Sequence, residues 1–245
     1  MNYKDKFYAR YITNHTKSLY GETSLEEIKK QFPIWDSYFD KLLPENKNIK
    51  ILDLGCGNGG FVYWLHKKGF ESAIGVDISE EQVGQARKLG IKNVFQGDAK
   101  KFLENRNEEY NLIFARDFLE HFSKEEILEL TDLISNSLED SGVFIAQIPN
   151  AENLLWGRLR HGDFTHDISF TQQSIKQLLK VSKFDEINVF PQRPVIHGFK
   201  SFIRYILWRF LELWPKFYLL IETRSSKGIF TQNILVYAKK SEQKI

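Results

Sequence analysis

Cysteine is nearly absent. Only Cys56 among the 245 residues carries a thiol, which excludes a disulfide framework and any multi-cysteine metal site within one chain. Neither sign of charge dominates, with 34 Lys+Arg against 32 Asp+Glu. A net charge of +2 excludes a nucleic-acid binder driven by bulk charge, so no nucleic-acid partner is expected. No apolar run approaches ~18 residues, so no membrane span is expected. The opening MNYKDKFYARY lacks the apolar core of a secretory leader, so a cytoplasmic location is expected. Internal repeats and low-complexity linkers are also missing. What is present, 42% hydrophobic and 27% charged residues, is the composition of a globular chain. Its length suits one ordinary domain, or a domain with a cap, able to bury a real core. Aromatics are in excess at 20 Phe, 10 Tyr and 5 Trp.

Residues 1–47 read as a helical N-terminal cap. A helix is expected from Ser24 to Phe32, with Pro33 and Pro44 punctuating the stretch beyond it. From residue 48 strands and helices alternate. Strands are expected at 49–54, 72–77, 93–96, 110–115 and 142–148, and helices at 58–68, 99–105, from Ser79 and from Ser123. Glu126, three residues after Ser123, completes a capping box. Alternation at this spacing implies βαβ units, a parallel sheet and ligands at the carboxyl ends of the strands. A long loop over 149–170, a helix from Thr171 to Lys183 and strands at 185–190 and 229–238 complete the domain. The final strand returns antiparallel at the sheet edge.

The strongest local signal is Asp53-Leu-Gly55-Cys-Gly57-Asn-Gly59-Gly60, directly after a strand and opening a helix. Glycines there permit positive φ and let a ligand approach the backbone. Gly55, Gly57 and Gly60 also satisfy GxGxxG, so a nicotinamide dinucleotide enters as an alternative. Charge separates the two ligands. A pyrophosphate wants helix amides without a nearby carboxylate, whereas Asp53 at the mouth of the loop suits a cationic ligand such as S-adenosylmethionine. Asp77 ends the second strand, where an acid can accept from both ribose hydroxyls. Asp98, after the third strand, can accept from an adenine amino group. Three acids at three strand ends, with no basic residue in the glycine loop, favour the methyl donor.

ILDLGCGNGGF, AIGVDIS, FQGDAKKF and FARDFLEHF together resemble the motifs of class I S-adenosylmethionine-dependent methyltransferases, from about Ile49 to Pro149. The resemblance implies an α/β, Rossmann-like seven-stranded sheet of order 3-2-1-4-5-7-6 with the last strand antiparallel. It also implies donor contacts at Asp53, Gly55, Gly57, Asp77, Ile78, Asp98, Ala99 and Arg116. The stretch DFTHDISFT is similar to a segment of methyltransferases from bacterial surface-polysaccharide clusters, which makes a saccharide acceptor the leading expectation. A quinone or lipid acceptor, or a non-catalytic docking module retaining the fold, are the alternatives.

Transfer to a hydroxyl needs a positioned base. His121, after the fourth strand, is one candidate; a packed histidine bonded to Asp117 or to backbone is its structural alternative. His166, between Asp163 and Asp167, has the ingredients of a base with an orienting acid. Asp163 is therefore grouped with the two histidines as catalytic. His161, Asp163 and His166 have a His-x-Asp-x-x-His spacing, but on a loop this is too permissive to assign a metal. Arg158 and Arg160 could meet an anionic acceptor or simply be solvated. Tyr8, Tyr11 and His15 fall on one face of a possible N-terminal lid.

Residues 192–228 form a helical insertion before the last strand. Phe199, Phe202, Ile203, Ile206, Phe210, Leu213, Trp214 and Phe217 fall within an arc of about 120°, and Pro215 is expected to break the helix into two pieces. Seven Lys/Arg here face only Glu212 and Glu222. The insertion admits three readings: a cover over the acceptor pocket, a homodimer contact, or a peripheral contact of residues 199–221 with an anionic membrane surface. Much of the aromatic excess is expected in this insertion and the loop before it, outside the sheet's core.

Overall fold

The computed structural model describes residues 3–8, 24–105 and 108–242. Seven strands form one sheet: β1 (Ile51–Leu54), β2 (Ala73–Asp77), β3 (Val94–Gln96), β4 (Tyr110–Arg116), β5 (Leu138–Pro149), β6 (Phe184–Pro191) and β7 (Asn233–Lys240). Their order is β3-β2-β1-β4-β5-β7-β6. β1 lies parallel between β2 and β4, and β7 runs antiparallel between β5 and β6, so the final strand is interior and β6 takes the edge position expected for it. The chain leaves β1 toward β2 on one side and returns through β4 on the other. The carboxyl ends of β1 and β4 therefore flank a topological switch point, where open α/β sheets bind ligands.

Local signals explain the helices. Ser24 accepts from the Glu27 amide and caps the helix Leu25–Lys30. Pro33 does not terminate a helix; it lies in the first turn of the next one, Phe32–Phe39, where its missing N–H costs nothing. Capping boxes at Ser123/Glu126 and Thr171/Ser174 start the helices Lys124–Ser137 and Gln172–Val181. The segment after β5 is more ordered than the expected loop. It holds the short helix Trp156–Arg160 and a bridge from Asn150 to Phe170.

Two apolar layers cover the sheet, and one of them is built largely of rings. Phe39, Phe61, Trp64 and Phe114 are fully buried together. Their centroids lie 5.1 Å (Phe39–Phe61), 4.9 Å (Phe61–Trp64) and 4.9 Å (Phe61–Phe114) apart. Burying each such ring contributes roughly 2–3 kcal/mol. The aromatic excess thus divides between this layer and the insertion, correcting the expectation that it lies mainly outside the core. Helix Phe32–Phe39 supplies Phe39 to the cluster, so this part of the N-terminal segment packs against the sheet.

The insertion departs furthest from expectation. Phe199–Thr223 is one helix of 25 residues with Pro215 inside it. Proline removes one i to i−4 bond, here that of the Leu211 carbonyl. Leu211 is 70% exposed, so water can take the bond and the helix runs on. The orientation is also unexpected. Phe199, Phe210, Trp214 and Phe217 are 58–78% exposed, while Glu212 is 5% exposed. The Glu212 carboxylate meets Lys216 Nζ at 3.0 Å, Arg193 at 3.4 Å and Arg209 Nε at 3.8 Å. The helix is thus held to the exit of β6 by a charge cluster, and its rings face outward. Among the described residues, no helix is long and apolar enough to cross a membrane.

Candidate active site

The turn after β1 is shaped by glycines at Gly55 (φ +67°) and Gly57 (φ +55°). A Cβ on Gly55 would lie 2.4 Å from the Phe118 ring, whereas one on Gly57 would meet nothing closer than 3.8 Å. Gly55 is therefore required by packing, and Gly57 by its backbone conformation, with the Gln82 carboxamide at ordinary contact distance. Asp77, at the end of β2, organises this turn. Its Oδ2 accepts from the Gly57 amide and its Oδ1 from the Ser79 amide, both at 2.8 Å. Burial raises the Asp77 pKa, and these two amides offset only part of the rise.

A cavity of about 340 Å³ opens beside the turn. Gly55, Gly57, Asp77, Ile78, Asp98 and Ala99 all line it, and Lys4, Tyr8, Phe118 and His121 stand at its wall. One Asp98 oxygen accepts from the Lys101 amide at 3.0 Å and caps the helix Ala99–Asn105. Its other oxygen is free of that duty. Tyr11 and His15, the other two members of the suggested lid face, lie outside the described residues.

Two expected donor contacts fall elsewhere. Asp53 lies in β1, fully buried, rather than at the cavity mouth. Neither of its oxygens has a hydrogen-bond partner among the described residues. Burial pushes its pKa up to about 7, opposed by the Arg116 charge and reinforced by Asp77. Arg116 opens instead on a second cavity of about 700 Å³. Its guanidinium stacks 3.9 Å from the Phe61 ring centroid and 5.3 Å from that of Trp35.

The second cavity is rich in carboxamides: Gln31, Asn58, Gln147, Gln192, Gln232 and Asn233 contribute, with Trp35 and Tyr38 as aromatic walls. Asp117 lines both cavities. Its φ of +49° turns the side chain into a small network. Gln147 Nε2 donates to Asp117 Oδ2 at 2.6 Å, Asn233 donates to Oδ1 at 3.2 Å, and Gln192 donates to Gln147 Oε1 at 2.8 Å. Sequence reasoning missed these amides. A signal existed for Gln147, a lone polar residue inside the apolar run Val143–Ile148.

His121 and His166 come together, with ring centroids 4.8 Å apart. The backbone stitches their segments: the Asp167 amide donates to the Glu120 carbonyl at 2.7 Å. Lys4 Nζ bridges the His121 carbonyl and the Asp167 carboxylate at 2.5 Å each. Asp163 does not orient His166. It accepts from the Thr165 amide (2.8 Å) and hydroxyl (2.7 Å), and Thr165 Oγ1 meets His121 Nδ1 at 2.9 Å. The orienting acid therefore serves His121, through a threonine that sequence reasoning did not single out. His166 Nδ1 instead meets the Leu159 carbonyl at 2.9 Å. Arg160 clamps the carbonyls of His166 and Asp167, which is a loop-holding role rather than contact with an anion. His161 is exposed, apart from the two paired histidines.

Burial, then the charge of His166, pushes His121 down to about 4. Burial also lowers His166. Both rings are consequently neutral at pH 7. Glu120, 1% exposed, has its pKa pushed well up by burial and next by the Asp117 charge.

A family profile described as a methyltransferase domain matches residues 28–187. The mRNA cap guanine-N(7) methyltransferase of Schizosaccharomyces pombe is 29% identical over 119 residues, covering 42% of this chain and 33% of that protein. The ribosomal protein L11 methyltransferase of Lactobacillus johnsonii is 30% identical over 118 residues, covering 44% and 36%. The match therefore spans about a third of the length of these two relatives. A crystal structure of a SAM-dependent methyltransferase from Archaeoglobus fulgidus superposes with a TM-score of 0.66 at 23% identity, covering 98% of this chain and all of that one. That likeness is one of fold.

Proposed function

The chain belongs to the methyltransferase domain family, and we propose that it moves a methyl group from S-adenosylmethionine to a hydroxyl of a saccharide or similar polyhydroxylated acceptor. The observation that carries this reading is the junction at Asp117, where a donor-sized cavity meets a larger amide-lined one beside two neutral histidines. When bound, S-adenosylmethionine supplies an electrophilic methyl on a sulfonium. The chain's own residues fit it. Gly57 brings bare backbone to the cavity wall, and Asp77 and Asp98 present carboxylates to hydroxyl and amino groups. The buried, unpartnered Asp53, with its pKa pushed up to about 7, can supply negative charge beneath the turn once a cation binds above it. Carboxamides both donate and accept, so the second cavity suits an acceptor dense in hydroxyls, with Trp35 and Tyr38 against its C–H faces. His121, at the wall of the first cavity, and His166, packed against it, offer imidazole lone pairs, as deprotonation of a hydroxyl requires.

Isothermal titration with S-adenosylhomocysteine tests the donor half; absence of binding at high micromolar concentration would refute it. His166→Ala should lose turnover by about 10²–10⁴-fold while leaving donor affinity nearly unchanged. An equal collapse of donor binding would instead make the histidine part of the donor pocket.

The outward-facing helix supports a second feature, attachment to an anionic bilayer surface. Lys200, Arg204, Arg209, Lys216, Arg224 and Lys227 accompany its exposed rings, with Glu222 as the exposed acid. Apolar rings flanked by cations match an interfacial helix. Co-sedimentation with vesicles containing anionic lipid should occur in low salt and weaken in high salt. A stable dimer in solution with no vesicle binding at either salt would replace this reading with a homodimer contact.

A further inference from the structure

Glu120, His121 and His166 gather three metal-ligating side chains into one largely buried cluster. The tautomers follow from the hydrogen bonds. Thr165 gives its hydroxyl proton to Asp163, so its oxygen accepts from His121 Nδ1–H. A carbonyl can only accept, so His166 Nδ1 also carries its proton, donated to Leu159. Each ring is thereby left with a bare Nε2. The Glu120 carboxyl is buried, and no other side chain bonds it among the described residues. One ligand atom from each of the three side chains falls within 4.8 Å of the others.

We propose that these three residues bind one divalent first-row transition-metal ion. Bonds of about 2.1 Å to nitrogen and oxygen place ligand atoms at most about 4.2 Å apart, so a small rotamer adjustment closes the site. Two imidazoles and one carboxylate select ions such as Mn²⁺, Fe²⁺, Co²⁺ or Zn²⁺ over Mg²⁺ and Ca²⁺, which prefer all-oxygen shells. The surroundings are those of metal-binding histidines, whose second nitrogen donates to a carbonyl or carboxylate. Here His166 uses the Leu159 carbonyl, and His121 reaches Asp163 through Thr165. The two loops are also tied in place by Asp167 N–H to Glu120 O and by Lys4. An ion bound by three protein ligands keeps open positions for acceptor oxygens. Coordination there would lower the hydroxyl's pKa, so the histidine pair would act on the acceptor through a shared cation. This use of the ion rests on the hydroxyl-methylation reading above; the binding itself does not.

The test uses Co²⁺ as probe on the full chain, read by metal analysis after dialysis and by visible ligand-field absorption. One Co²⁺ per chain is expected. Glu120→Gln and His166→Ala should each abolish it, while His161→Ala, altering an exposed neighbour outside the cluster, should retain it. Thr165→Val should weaken binding by about 10–100-fold by removing the group that fixes the His121 tautomer. Circular dichroism and S-adenosylhomocysteine binding establish that each variant is folded. No stoichiometric Co²⁺ at millimolar free metal overturns the proposal, as does binding indifferent to both ligand variants; in either case the cluster shares a proton instead. Should Co²⁺ bind where S-adenosylhomocysteine does not, the metal site stands and the donor reading fails.

Discussion

Asp77→Ala should weaken S-adenosylhomocysteine binding by about two orders of magnitude or more, the largest single loss expected in the donor cavity. The side chain has two roles there. Both oxygens already accept backbone amides, from Gly57 and Ser79, so the carboxylate fixes the glycine turn and the entry of the helix Glu80–Lys88. The remaining lone pairs face the cavity, where two ligand hydroxyls can donate. Hydrogen bonds to a charged group are worth about 1.5–3 kcal/mol each, and two of them set the scale of the loss. Asp77→Asn should fall between, because an amide oxygen can replace one acceptor oxygen but not both. Calorimetric titration of the three proteins measures this order. Affinity of the alanine variant within twofold of the parent would remove Asp77 from the donor site. A fall in melting temperature alone would leave it only the task of holding the turn.

The lining of the cavity beside the glycine turn was readable because its parts are contiguous in sequence and dictated by backbone geometry. A positive φ at Gly55 and Gly57, an acid at the end of β2 and another beyond β3 each announce themselves within a few residues. Capping boxes at Ser123 and Thr171 were equally local, and the structure contains both. The sheet order came from the family resemblance, since periodicity alone does not say which strands are neighbours. The acceptor side was far less readable. Thr165 becomes informative only once the turn after β4 is brought beside residues 163–168, and Gln192 and Asn233 only when β6 and β7 lie next to β5. His166 shows the difference well. Two flanking aspartates suggested an orienting acid, yet the ring turned toward a carbonyl and Asp163 served the other histidine. The insertion failed for a different reason. An apolar arc on a helix normally marks its buried side, but here Glu212, braced by Arg209 and Lys216 of its own helix, pairs with Arg193 just beyond β6, and the helix docks on that charged side instead.

Asp53→Asn should make the protein more stable and the donor weaker bound, and the gain in stability should grow with pH. A fully buried carboxylate without a partner is costly when ionised. Burial raises its folded pKa to about 7, against about 3.9 for an exposed aspartate. Between those values the unfolded chain has released the proton and the folded chain has kept it. Unfolding then loses protons, so this group lowers stability as pH rises from about 4 to 7, and the deficit is complete above 7. The full difference is on the order of 3–4 kcal/mol. Part of it is offset by the burial cost of the amide itself, leaving about 1–3 kcal/mol, or roughly 3–8 °C in melting temperature at pH 8. Near pH 4 the two proteins should melt together. Arg116 moderates the charge but also stacks on Phe61 and Trp35, so it does not neutralise Asp53 by direct contact. A cationic ligand above the glycine turn would add the missing compensation. Stabilisation of the parent by S-adenosylhomocysteine, whose amino acid end carries an ammonium, should therefore increase between pH 6 and 8 and do so less in Asp53→Asn. Melting curves with and without ligand at three pH values measure both effects. An asparagine variant that is less stable at pH 8 with unchanged ligand stabilisation would show Asp53 to be a packing residue, with no electrostatic part in holding the donor.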